Sequence, residues 1–326
     1  MQSQSSRRRF LAGVGAVAAT AAIPRSAAFA PTSGATGIRF GYTAMTWGKE
    51  ERQAIEDISA TGFEGIQLRL DAITEFQPAE LRSLMEQHKL TFVALSSGEI
   101  SIDPAAKADA LAKHTANAKF VRDAGGHYLQ ILDQLKDYPR TVAAEECRQL
   151  GKLLTEIGKH TADLGVPLAY HNHMNTISEH PANLDIVLET SDPKYVKLLL
   201  DTAHSVAGGG NPAEAIKKYH DRLLFLHLKD VVDIPLDTPG AKYPFKFVEL
   251  GRGRVDLPAV FAALDKVKFQ GWGVVELDRV PEKSKTPKQS AMISRKYLEE
   301  KIGMKLPAAR DDSSRRESKT GRLAIL

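Results

Sequence analysis

From residue 37 onward, short apolar runs alternate with amphipathic stretches, the pattern of repeated strand-helix units. Eight strand candidates stand out, at residues 38–45, 65–71, 91–96, 128–133, 167–173, 196–201, 223–229 and 273–278. Between the fourth and fifth, Ala144, Cys147, Leu150, Leu154, Ile157, Thr161 and Leu164 recur at three- and four-residue steps, which puts them on one helical face. Thr141 is the expected cap of that helix, and Gly165 followed by Pro167 ends it. Further helices are expected over 51–61, 79–88, 105–123, 183–189, 212–219, 257–264 and 288–301. Asn211-Pro212 reads as a cap followed by proline in the first helical turn, after the glycine turn 208–210.

Eight units in succession predict an α/β fold, a single-domain (β/α)8 TIM barrel, for which ~250 residues is typical. An open doubly wound sheet would carry a glycine-rich phosphate turn after its first strand, and Tyr42-Thr43-Ala44-Met45-Thr46-Trp47 holds none. The barrel is expected over 37–304, with a disordered tail over 305–326 that lacks apolar periodicity. Residues 231–253, with Pro235, Pro239, Gly240 and Pro244, form an enlarged loop after the seventh strand, read as a lid or substrate wall.

The first 30 residues depart from the barrel pattern. Arg7-Arg8-Arg9-Phe10-Leu11, an apolar run over 11–23, Arg25 and the small residues up to Ala30 resemble a twin-arginine export signal, cut after Ala28 or Ala30. The run is shorter than the ~20 residues a membrane span needs, so periplasmic or secreted localisation without stable membrane insertion is expected. The whole chain has 44 basic against 40 acidic residues, and 1–30 hold four arginines and no acid, so the mature protein is formally neutral. That balance offers no footprint for nucleic acid. Cys147 is the only cysteine, which excludes an internal disulfide.

Candidate chemistry gathers at the ends of the later strands. Side chains two apart in a strand share a face, so Ala169, His171 and His173 point one way, and so do Leu199 with Asp201, Phe225 with His227 and Lys229, and Val274 with Glu276 and Asp278. The opposite faces are aliphatic and suit the barrel-helix layer. Carboxylates pointing into a barrel are costly alone and are better explained around a cation. His171, Asp201, His227 and Glu276 are therefore the candidate ligands of one divalent ion.

The segments Tyr170-His171-Asn172-His173, Leu200-Asp201-Thr202-Ala203-His204, Leu226-His227-Leu228-Lys229-Asp230 and Val275-Glu276-Leu277-Asp278 resemble the xylose isomerase-like barrel superfamily, specifically its sugar phosphate isomerase/epimerase branch. In its ketose 3-epimerases a Glu, an Asp, a His and a Glu from the fifth to eighth strands bind one ion, commonly manganese, so the resemblance implies manganese first here, with magnesium, cobalt or zinc as others. Here His171 stands at the fifth-strand position, a departure that leaves a single carboxylate, Glu276, of the pair that exchanges the substrate proton. The resemblance implies Glu276, His173 and Lys229 as catalytic residues. His204, Gln67, Arg69, Gln130 and Trp47 are candidate contacts to a neutral sugar. A metal-dependent isomerase or epimerase acting beside a carbonyl is the first expectation. The His-Asn-His strand also resembles inosose dehydratases and keto-sugar lyases, so elimination is the alternative, and a sugar-binding barrel without turnover is the non-enzyme one. Gly251-Arg252-Gly253 is a weak phosphate-cradle signal, and a homo-oligomer is open.

Overall fold

The computed structural model describes residues 37–309; the export-type segment 1–30 and most of the tail fall outside the described residues. Eight parallel strands close a barrel: β1 (Ile38–Thr43), β2 (Gly65–Leu68), β3 (Thr91–Ile100), β4 (Tyr128–Asp133), β5 (Leu168–His171), β6 (Val196–Asp201), β7 (Leu223–Leu228) and, last in the chain, β10 (Gly271–Val275). β10 pairs with both β1 and β7, which seals the ring. The product is the expected single-domain (β/α)8 TIM barrel. Two further strands, β8 (Asp230–Asp233) and β9 (Phe245–Val248), form an antiparallel hairpin outside it.

The period-two pattern sorts the core into two layers. Ala169, Leu199, Phe225 and Val274 belong to a small cluster inside the ring, with Val93 and Trp272. Leu168, Tyr170, Leu198, Leu200, Leu226, Leu228 and Val275 belong to the larger cluster that takes in the helices. Gly65 is required by the inner layer, since a Cβ there would lie 2.6 Å from the Trp272 ring. The four inner residues of β5, β6, β7 and β10 each sit two positions before a ligand-type side chain. His171, Asp201, His227 and Glu276 are therefore the next inward layer, at the C-terminal mouth.

Several helices start as their sequence demands. The Asn211 side chain accepts from the amides of Ala213 and Glu214 at the head of the helix Pro212–Tyr219. The expected Thr141 cap is corrected: the helix Ala144–Asp163 begins after Ala143, whose N–H donates to the Glu146 carboxylate at 2.9 Å. Glu146 at the third helical position does the capping from inside the helix. The tail is corrected at its start, because Leu306 packs against the core rather than leaving it. No helix among the described residues is long and apolar enough to cross a membrane.

Candidate metal and catalytic site

The strand ends bring four residues together. His171, Asp201, His227 and Glu276 are all buried, and one donor atom from each lies within 4.8 Å of the others. Asp201 Oδ2 is 3.6 Å from His171 Nε2 and 3.6 Å from His227 Nδ1, and Glu276 Oε2 is 3.3 Å from His227 Nδ1. His171 Nε2, Asp201 Oδ2 and His227 Nδ1 are buried without any hydrogen-bond partner. Buried polar atoms are almost always paired, so three orphans facing one point fit a cation. Two imidazole nitrogens and two carboxylate oxygens are a donor set for zinc, manganese or cobalt.

The backs of the imidazoles are tied down. His227 Nε2–H donates to Gln67 Oε1 at 2.8 Å, which leaves Nδ1 facing the cluster as the nitrogen that would bind a metal once its proton is lost. His171 Nδ1 lies 3.2 Å from the Gln130 amide, whose oxygen and nitrogen exchange by a half-turn. With the oxygen turned inward, His171 likewise presents Nε2. Gln67 Nε2 donates to Ser96 Oγ at 2.9 Å, which holds the amide behind His227. This corrects the expected role of Gln67 and Gln130 as sugar contacts: both amides are buried and spent on the histidines.

Charge is arranged around the same point. Burial works against the charge on His227, but Glu276 and Asp201 outweigh it and lift its pKa to about 9. Burial pushes the other way on the carboxyls, yet surrounding imidazoles and Lys229 hold Asp201 well below the usual range, as His227 and Lys229 hold Glu276. His171 is lowered, chiefly by burial, and stays neutral. Lys229, fully buried, donates to Glu276 Oε1 at 3.0 Å and Asp278 Oδ1 at 2.5 Å. Burial disfavours its charge, but Asp278 and Glu276 keep it protonated.

His173 and His204 lie beside the cluster, their ring centroids 3.7 Å apart. His173 Nδ1–H donates to the Met174 carbonyl at 2.7 Å, so Nε2 carries its lone pair. Burial, then the neighbouring His171 and Lys229, pull its pKa down to about 4, which makes it a neutral imidazole at pH 7. His204 Nε2 lies 3.2 Å from Lys229 Nζ, inside the site but fully buried. Two other expected sugar contacts are engaged within the protein. Trp47 packs edge-on against Tyr42 and donates to Asp57 at 2.9 Å, a core role. Arg69 pairs with Asp71 at 3.0 Å.

Four residues join the site that the sequence reading left without a role. Asn172 Oδ1 accepts from Asp201 N at 2.8 Å and fastens β5 to β6 at the mouth. Thr202 Oγ1 donates to the Lys229 carbonyl at 2.6 Å and accepts from its N–H at 2.9 Å. Asp278 pairs Lys229, a role its shared face with Glu276 foreshadows. Phe247 of β9 lies 4.0 Å from Lys229 Nζ, which makes the 231–253 insertion a wall of the site. The glycine turn is corrected as well: Gly251 N and Gly253 N both donate to Asp230 Oδ2 at 2.9 Å, so a carboxylate occupies the supposed cradle.

The fold and site together define a class, a single-domain parallel barrel with a buried cluster at its mouth able to hold one divalent cation. The chain belongs to the xylose isomerase-like TIM barrel family, which it matches over residues 55–300. It is 33% identical over 167 residues to an inosose dehydratase of Clostridium beijerinckii, a match covering 49% of this chain and 56% of that one. The matched stretch thus spans little more than half that relative's length. Among solved structures it is similar to the IolI protein with a bound zinc atom, at 19% identity and a TM-score of 0.68, covering 80% of this chain and 97% of that one. It is also similar to an L-ribulose 3-epimerase, at 16% identity and a TM-score of 0.65, covering 89% and 99%.

Proposed function

We propose that the protein is a metal-dependent enzyme that removes a proton beside the carbonyl of a neutral carbohydrate or keto-sugar, with elimination as the outcome. The observation that carries this reading is the set of unpartnered donor atoms on His171, Asp201 and His227, next to Glu276. A divalent ion held there supplies Lewis acidity toward a substrate oxygen. Zinc or manganese suits the donors, and the zinc of IolI supports a divalent ion.

Glu276, ionised and held by Lys229, is the base for the acidic carbon proton. The proton that Glu276 takes from carbon goes on to the departing hydroxyl, which leaves as water, while His173, neutral with Nε2 free, accepts a hydrogen bond from a substrate hydroxyl. Lys229 is the charged donor for an oxygen that gains negative charge. Sequence alone puts isomerisation or epimerisation first. Glu276 as the one carboxylate at the proton-exchanging positions, beside the neutral His173, and a relative named inosose dehydratase, move elimination ahead. Epimerisation stays as the second reading because it begins with the same proton transfer. Lys229 is already paired with two carboxylates, which supports an uncharged substrate over a phosphorylated one. The export-type N-terminus supports a periplasmic or secreted setting.

Elemental analysis followed by proton NMR of inososes and keto-sugars in deuterated water tests the reading. Metal-dependent loss of water or of an alcohol supports elimination, and deuterium gain with an epimer supports the second reading. Glu276→Gln should stop either reaction by about 100-fold or more with the fold intact. Binding without exchange or loss by the metal-loaded protein would reduce the chain to a sugar-binding barrel.

A further inference from the structure

The hairpin beside the site carries an aromatic row that proton transfer does not use. Along the segment leading through β9, Tyr243, Phe245 and Phe247 are partly buried while Lys242, Pro244 and Lys246 between them are exposed. The aromatic side chains therefore share one face. Tyr243 and Phe245 stack at 5.5 Å with 12° between their planes, and Phe245 lies 5.8 Å from Phe247. The inner end of the row abuts the site, since Phe247 sits 4.9 Å from the His204 ring and 4.0 Å from Lys229 Nζ.

The outer end meets polar groups of the loop that carries His173. Asn175 Nδ2 donates to the Tyr243 hydroxyl at 2.5 Å. Its Oδ1 has no hydrogen-bond partner, and its backbone is left-handed at φ 60°. Asn175 N donates to Glu179, whose other oxygen accepts from the Tyr138 hydroxyl at 3.3 Å. Tyr138, Thr176 and Glu179 then border a groove of about 500 Å³. Thr176 Oγ1 donates to the His173 carbonyl at 2.6 Å, so groove and site share a wall. Arg140 is the arginine lining the groove, and both of its terminal nitrogens are committed to Glu146. That lining favours a neutral, hydroxyl-rich occupant over an anion.

We propose that this row and groove form a second sugar subsite, so the substrate class is a neutral glycoside or disaccharide in which only the inner ring reacts. The proposal rests on the carbohydrate reading above. The outer ring lays its C–H face on the aromatic row, as apolar faces do on aromatic rings. Its hydroxyls reach Asn175, Glu179 and the groove.

The test uses probes that bind without turnover: glucose, cellobiose, maltose and trehalose, titrated calorimetrically into the full-chain, metal-loaded protein. At least one disaccharide should bind about tenfold or more tighter than glucose, a difference one ring on an aromatic platform supplies readily. Phe245→Ala should erase that preference while leaving glucose affinity unchanged. Thr141→Trp, on the exposed groove wall, should do the same by filling the space, and it serves if the first variant fails to fold. No disaccharide preference in the unmodified protein, or a preference that survives the variants, overturns the subsite. Neither result touches the proton-exchange assay, which judges the metal-dependent reading separately.

Discussion

Gln67→Leu isolates what the amide behind His227 contributes to metal binding. Leucine keeps the volume of the side chain but removes the acceptor that holds His227 Nε2–H at 2.8 Å. The imidazole is buried, so the stranded N–H costs about 1–3 kcal/mol whenever Nδ1 is used as a ligand. At about 1.4 kcal/mol per decade this predicts roughly 5- to 150-fold weaker metal binding, consistent with the 10- to 100-fold cost usual for groups behind a ligand. Zinc and manganese affinities, measured by chelator competition on protein stripped and reloaded, read the effect. The visible spectrum of the cobalt-loaded protein should shift as the imidazole loosens. Gln67→Glu restores an acceptor at the same place and should recover the affinity to within a few-fold. A leucine variant that binds metal as tightly as the unmodified protein would refute the claim that Gln67 sets the His227 tautomer.

The proton on His227, with a pKa near 9, should compete with the metal. Binding at pH 7 then releases about one proton, and affinity rises about tenfold per pH unit until pH 9; calorimetry in buffers of different ionisation enthalpy counts the proton, and a pH-independent affinity sinks the argument. Glu51 is buried with both oxygens unpartnered, and burial, opposed by Arg69, raises its carboxyl to about 7. The folded protein thus holds this proton more tightly than the unfolded chain, a contribution fully present below about pH 4.5 and lost as pH rises through 7. Glu51→Gln should add up to about 3 kcal/mol of stability at pH 8 and nothing at pH 4, as denaturant titrations at the two pH values would reveal. Asp230→Ala strands the amides of Val231, Gly251, Gly253 and Val255 and should cost about 3 kcal/mol or more, with an unchanged melting temperature as the contrary result.

The sequence carried the barrel because its two periodicities never conflict: each strand of the second half is aliphatic toward the helices and polar-tipped toward the axis. That alternation places His171, Asp201, His227 and Glu276 on one inward layer. It could not say what stands behind them. Gln67 and Gln130 also point inward, and nothing in a strand pattern tells an amide that faces a sugar from one that faces an imidazole. Trp47 failed for a related reason, because a strand-end aromatic can turn to the core, as it does here toward Tyr42. β3 runs past its expected end at Ser96, through Ser97-Gly98-Glu99 to Ile100. The structure carries a register shift between Ser96 and Glu99, with Gly98 at φ 87°, and pairing resumes at Glu99.

The same reasoning decides what the enlarged loop after β7 can do. Its first residue, Asp230, follows Lys229, whose backbone is pinned from both sides by Thr202. The Asp230 carboxylate then collects four amides from the two ends of the insertion, and β8 and β9 pair through Asp230 with Val248 and Asp233 with Phe245. A hinge needs backbone free to rotate, and the base of this hairpin has little left unspent. Phe247 is therefore a fixed wall over Lys229 and His204, and motion that admits a ligand belongs to the residues between the two strands. Hydrogen exchange should divide along that line, slow at Val231 and Phe247 and fast between Leu236 and Lys242. Uniform fast exchange through the hairpin would mean that the insertion opens as one flap and that the site is assembled only on closure.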